Sequence, residues 1–129
     1  MKIQQTSIIV DDVEKALAFY TQVLGFVKKL YVPEASVAIV VSPEEPGGTE
    51  LLLEPNANPI ARTHLEALRD ALSQEGIPVI VFGVKDVQRE YERLKQLDVV
   101  FRGEPTQTEG GVQAVFDDTC GNFIQLLQV

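Results

Sequence analysis

Short runs dominated by β-branched residues or leucine alternate along this chain with stretches in which apolar residues recur every three or four positions. The two rhythms predict strands and helices respectively. Thr6 to Val10 reads as a strand that Asp11-Asp12 ends. Asp11 is placed to cap a helix with Glu14 three residues on, and Val13, Ala16, Leu17, Tyr20 and Leu24 share one face before Gly25 supplies the left-handed residue that closes it. Phe26 to Val32 and Ser36 to Ser42 predict two strands joined by a turn. The prolines and glycines of Pro43 to Gly48 predict a loop, and Glu50 to Glu54 a further strand.

Asn56-Ala57-Asn58-Pro59 breaks the pattern, after which Ile60 to Gln74 is helix-compatible, with Leu65, Leu68 and Leu72 at helical spacing and Gly76-Ile77-Pro78 as its stop. The opening rhythm then returns. Val79 to Val84 predicts a strand, Asp86 a cap, and Val87, Tyr91 and Leu94 the apolar face of a helix whose other side carries Arg89, Glu90, Glu92, Arg93 and Lys95. Val99 to Phe101 predicts a strand, Pro105 to Gly111 a polar turn, Val112 to Phe116 a strand, Asp117 to Asn122 a tight turn, and Phe123 to Gln128 the last strand.

Two segments repeat in order. Val10-Asp11-Asp12-Val13 matches Val84-Lys85-Asp86-Val87 at an offset of 74, and Glu50-Leu51-Leu52 matches Gln125-Leu126-Leu127 at an offset of 75. The implied architecture is α+β: tandem βαβββ modules forming curved mixed β-sheets, within a single domain spanning 1–129. The expected division is a first module at 1–55, a connector with a helix at 56–78 and a second module at 79–129.

Composition narrows the function classes. The chain has 129 residues, 45% apolar and 23% charged, which suits one compact domain and leaves no run long enough to span a bilayer. A formal charge of −8 argues against a nucleic-acid backbone or an anionic membrane as partner. The lone Cys120 and a first stretch that enters strand-like sequence without a signal-peptide pattern place the protein in the cytoplasm.

The stretches IIVDDVEKALAFYTQVLGF (Ile8 to Phe26), TELLLEP (Thr49 to Pro55) and FDDTCGNFIQL (Phe116 to Leu126) resemble the vicinal oxygen chelate superfamily. That group includes glyoxalase-type lyases, bleomycin-resistance proteins, fosfomycin-resistance enzymes and extradiol dioxygenases. The resemblance implies paired modules that curl around a cavity, a homodimer, and metal ligands on the first and last strands of each module. Those positions fall here on Gln5, Glu50, Val79 and Gln125. One carboxylate, two amides and a valine make a poor donor set for a divalent transition metal, so no metal and no cofactor are expected. Gln125 also lacks the titratable acceptor that the family's glyoxalase-like members carry at its position.

Glu50 carries two readings: a cavity carboxylate raised in pKa by burial and able to serve as catalytic base or ligand anchor, or a hydrogen-bonded strand acid with no such role. Gln5 and Gln125 could bond a ligand, each other or the backbone. Alternation adds Ser7, Leu52, Val81 and Phe123 to the same faces, which gives a mainly apolar lining with a few polar anchors. The expected function is binding of a small, partly apolar molecule. The alternative is a lyase or isomerase acting on a small carbonyl compound with Glu50 as base or metal ligand. His64 reads as a connector surface residue, Cys120 as a turn residue, and Asp117-Asp118 as turn chemistry.

Overall fold

A computed structural model describes residues 1–56 and 58–129. The break predicted over Asn56 to Pro59 includes Ala57, which lies outside the described residues. The chain forms two compact units, Met1–Glu66 and Ala67–Val129.

In the first unit, β1 (Gln5–Ile9), α1 (Val13–Ala18), β2 (Val27–Val32), β3 (Val37–Val41) and β4 (Glu50–Glu54) follow in order. The strands form one mixed sheet in the spatial order β1-β4-β3-β2, with β1 parallel to β4 and the other pairs antiparallel. Asp12, rather than the expected Asp11, caps α1, because its extended backbone aims Oδ1 at the Lys15 N–H (3.0 Å). Beyond Ala18 the helix widens into a π turn over Phe19–Val23. There the Thr21 hydroxyl donates to the Leu17 carbonyl (2.7 Å), and the Leu24 N–H reaches back to the Phe19 carbonyl (3.1 Å).

Gly25, at φ +91°, ends this segment as expected, in a conformation that favours glycine. Val13, Ala16, Leu17 and Tyr20 are buried with Ile8, Val10, Ala38, Val40, Leu51 and Leu53 in the core on one face of the sheet. Each large apolar side chain buried there contributes about 1.5–3 kcal/mol relative to exposure.

The second unit repeats the plan with β5 (Ile80–Val84), α3 (Val87–Gln96), β6 (Thr106–Thr108), β7 (Gly111–Asp117) and β8 (Phe123–Gln128), in the spatial order β5-β8-β7-β6. Asp86 caps α3 as its sequence predicts, accepting from the Arg89 N–H at 3.0 Å. Val87, Leu94 and Val99 are buried with Ala114, Phe116, Ile124 and Leu126. Between the two repeated sets runs α2 (Arg62–Glu75), which buries no residue fully.

Two expectations fail here. Val99 to Phe101 forms no strand: Asp98 turns the backbone to φ +65°, Val99 drops into the core, and only Phe101 bridges Phe116 before the chain leaves the sheet. The module's second strand comes instead from the supposed turn, where Thr106–Thr108 pairs with Gln113, Val112 and Gly111. Polar, β-branched threonines suit an edge strand with one side to water, so hydrophobic pattern alone passes over them.

Candidate functional site

The face of the first sheet opposite α1 carries the residues of interest. In the parallel β1–β4 pair Gln5 stands beside Glu50 and Ser7 beside Leu52. Leu51 and Leu53 point the other way into the core, so alternation sets Glu50 and Leu52 on the open face. Glu50 retains 8% of its accessible surface, whereas Gln5 and Ser7 are exposed.

Gln5 Nε2 donates to Glu50 Oε2 at 3.2 Å, and the Lys29 ammonium donates to Oε1. Both carboxylate oxygens therefore have a partner. Sequence reasoning missed Lys29, which sits in a β-bulge: Lys28 pairs with Val40 and Leu30 with Ile39, leaving Lys29 as the extra residue. The bulge puts Lys29 and Leu30 on one side of the strand, although they are adjacent in sequence. The available signal was Lys28-Lys29 inside an otherwise apolar strand, a break in alternation of the kind a bulge produces.

These contacts speak against the first of the two readings of Glu50, the one with a raised pKa. The hydrogen bond from Lys29 and then that from Gln5 hold its carboxyl below the ordinary 4.5, outweighing the desolvation that pushes it up. Glu50 is a stabilised carboxylate and a weak base.

The second sheet presents a different set. Gln125 Nε2 donates to Gln113 Oε1 at 2.9 Å, between β8 and β7. Gln113 is a partner that the sequence reading did not name, although alternation from Val115 sets it on the same face as Gln125 and Leu127. The neighbour of Gln125 on β5 is Val81, 49% exposed. Val79, the residue matched to Gln5 by sequence offset, lies two positions earlier and donates its N–H to the Phe123 carbonyl at 2.9 Å. Arg102 lies over the ring of Phe123, its guanidinium carbon 5.3 Å from the centroid.

The remaining candidates are structural. Asp118 is fully buried and accepts from the N–H groups of Cys120 (2.8 Å) and Asn122 (3.0 Å) and from Asn122 Nδ2 (3.1 Å). Asp117 accepts from the Thr119 N–H at 2.7 Å. This is the turn chemistry its sequence predicts, and it leaves Cys120 a buried thiol. His64 lies exposed on α2.

The donor set does not fit a family-type transition metal. On the first sheet a lysine ammonium already occupies the Glu50 carboxylate, and on the second the same positions offer an amide beside valines. Among the described residues no three His, Cys, Asp or Glu side chains converge to hold an ion.

Comparison with known proteins agrees with this fold. Residues 2–126 match the Glyoxalase/Bleomycin resistance protein/Dioxygenase superfamily. An uncharacterized Bacillus subtilis protein, YurT, is 49% identical over 99% of both chains. The crystal structure of UcmS2 superposes with a TM-score of 0.80 at 32% identity, covering 98% of this chain and 96% of that one. TnmS3, an antibiotic binding protein from Streptomyces sp. CB03234, superposes at 0.76 with 27% identity, covering 99% and 95%. The repeated βαβββ plan and the match along almost its whole length together show that the chain belongs to the Glyoxalase/Bleomycin resistance protein/Dioxygenase superfamily.

Proposed function

We propose that this protein binds a small, partly apolar molecule on its open sheet faces and does so without the metal chemistry of its enzymatic relatives. The observation that carries this reading is the state of Glu50, whose two oxygens are taken up by Lys29 and Gln5. On the first sheet the candidate contacts are Gln5, Ser7, Glu50 and Leu52; on the second, taken by itself, they are Val79, Val81, Phe123 and Gln125. Few polar groups among apolar ones is the usual make-up of a small-molecule site. The likeness to an antibiotic binding protein supports the same class of ligand.

Against the lyase or isomerase reading stands the lowered pKa of Glu50, since a general base works best with a pKa near the working pH. In this proposal the protein acts in the cytoplasm as a homodimer, the commonest symmetric assembly. Light scattering that gives the monomer mass would remove the dimer from the proposal.

A thermal-shift screen against apolar antibiotics tests the binding reading, because a ligand selective for the native state must raise the melting temperature. No shift with any compound would sink it. Metal analysis of protein purified without chelator tests the other half. Near-stoichiometric metal that disappears in Glu50→Gln would restore the enzyme reading.

A further inference from the structure

The open face of the first sheet carries the ion pair of Lys29 and Glu50, and its two members are unequally available. Glu50 is 11% exposed at its side chain and Lys29 51%. An ammonium has three donors, and among the described residues Lys29 uses one, on Glu50 Oε1. The carboxylate beneath has its oxygens bonded to Lys29 and Gln5. Half-exposed Val27 and Leu30 flank the lysine on its own strand, with Ile39 and Leu52 on the same face of the next two strands. A molecule settling beside Lys29 therefore meets apolar side chains and outward N–H donors, while the second carboxylate of this face, Glu54, lies beyond Leu52 at the far end of β4.

We propose that Lys29 is the specificity-determining residue of the site, and that the ligand is an apolar molecule carrying an oxygen acceptor, a carbonyl or carboxylate, rather than an amine. The inference rests on the binding function proposed above and gives it a chemical direction. A cationic ligand would have to displace the ammonium from Glu50 or sit beside it, against like-charge repulsion. An acceptor oxygen takes an unused donor without breaking the pair. The β-bulge sets the donor and Leu30 side by side on this face.

The test uses one aromatic scaffold with its polar group varied: naphthalene, acetonaphthone, naphthoate and naphthylmethylamine, each titrated into the full-length protein by calorimetry. Acetonaphthone and naphthoate are expected to bind about tenfold tighter than naphthalene or the amine, the gain of one hydrogen bond to a charged donor. Lys29→Met should bring both down to the naphthalene level. Lys29→Arg, which keeps a cationic donor in the bulge, should keep the preference and show that the position tolerates substitution. Glu50→Gln frees the ammonium and should tighten naphthoate further.

Tighter binding of the amine, a preference that survives Lys29→Met, or weaker naphthoate binding in Glu50→Gln would each overturn the assignment of Lys29. Equal binding of all four compounds sinks this inference while leaving the binding function standing. If none of them binds, naphthalene included, and the antibiotic screen is also blank, both fall together.

Discussion

The ammonium of Lys29, on edge strand β2, reaches across strand β3 to the carboxylate of Glu50 on β4. This pair makes stability depend on pH. Because the folded pKa of Glu50 is lowered, the unfolded chain takes up the proton first as pH falls. The contribution is fully present above the ordinary value of 4.5 and is lost as pH drops through the lower folded value. Urea unfolding across this range should show a fall in stability that is smaller in Glu50→Gln, and carboxyl NMR should show the Glu50 titration moving up in Lys29→Met. Identical pH profiles for wild type and Glu50→Gln would mean that the pair is not formed in solution.

The two helix caps should behave alike. Asp12 and Asp86 each accept an N–H three residues on, at 3.0 Å in both cases. Asp12→Ala and Asp86→Ala should each cost about 1 kcal/mol in urea unfolding. As they share no hydrogen-bond partner, the double variant should lose about the sum. A negligible effect at Asp12 with a full effect at Asp86 would show that the first helix is held by packing alone.

Asp118 should matter far more. Removing its carboxylate strands two backbone N–H groups and the Asn122 amide in a buried turn. Asp118→Ala should cost about 2–4 kcal/mol, beyond the effect of a typical surface substitution. Asp117→Ala, which removes one exposed bond, should cost much less.

Gly76 offers a separate check. It adopts φ +66°, and a Cβ placed there would lie 1.0 Å from Nη1 of Arg102. Gly76→Ala should therefore strain the backbone by about 1 kcal/mol and push the guanidinium away. The Phe123 ring resonances should shift with it, since Arg102 lies over that ring. A cost that disappears in the Arg102→Ala background would place it in the clash rather than in the backbone.

Much of this architecture was legible from side-chain period. β4 and β8 have the bounds their sequences predict, and the Asp86 cap was readable from one acid before an amphipathic run. Where polar residues form a strand, as at Thr106–Thr108, the period carries no signal because the edge needs no apolar face. The positions of Gln5 and Glu50 were also legible, because a strand fixes which side each residue faces. Their partner was not. Lys29 reaches Glu50 from 21 residues away through a bulge, and a bulge shifts alternation in a way that a strand template cannot express.

The pairing of β5 with β8 has a consequence for anyone wishing to rebuild symmetry in this chain. Gln5 faces Glu50, but the residue facing Gln125 is Val81, not its sequence counterpart Val79. A slip of two residues keeps every side chain on its own side and changes only who stands next to whom. Duplicated segments can thus keep their letters in register while their neighbourhoods drift apart. A designer grafting a second ligating side chain beside position 125 should start at Val81, since a copy made by counting along the sequence would land one pleat away.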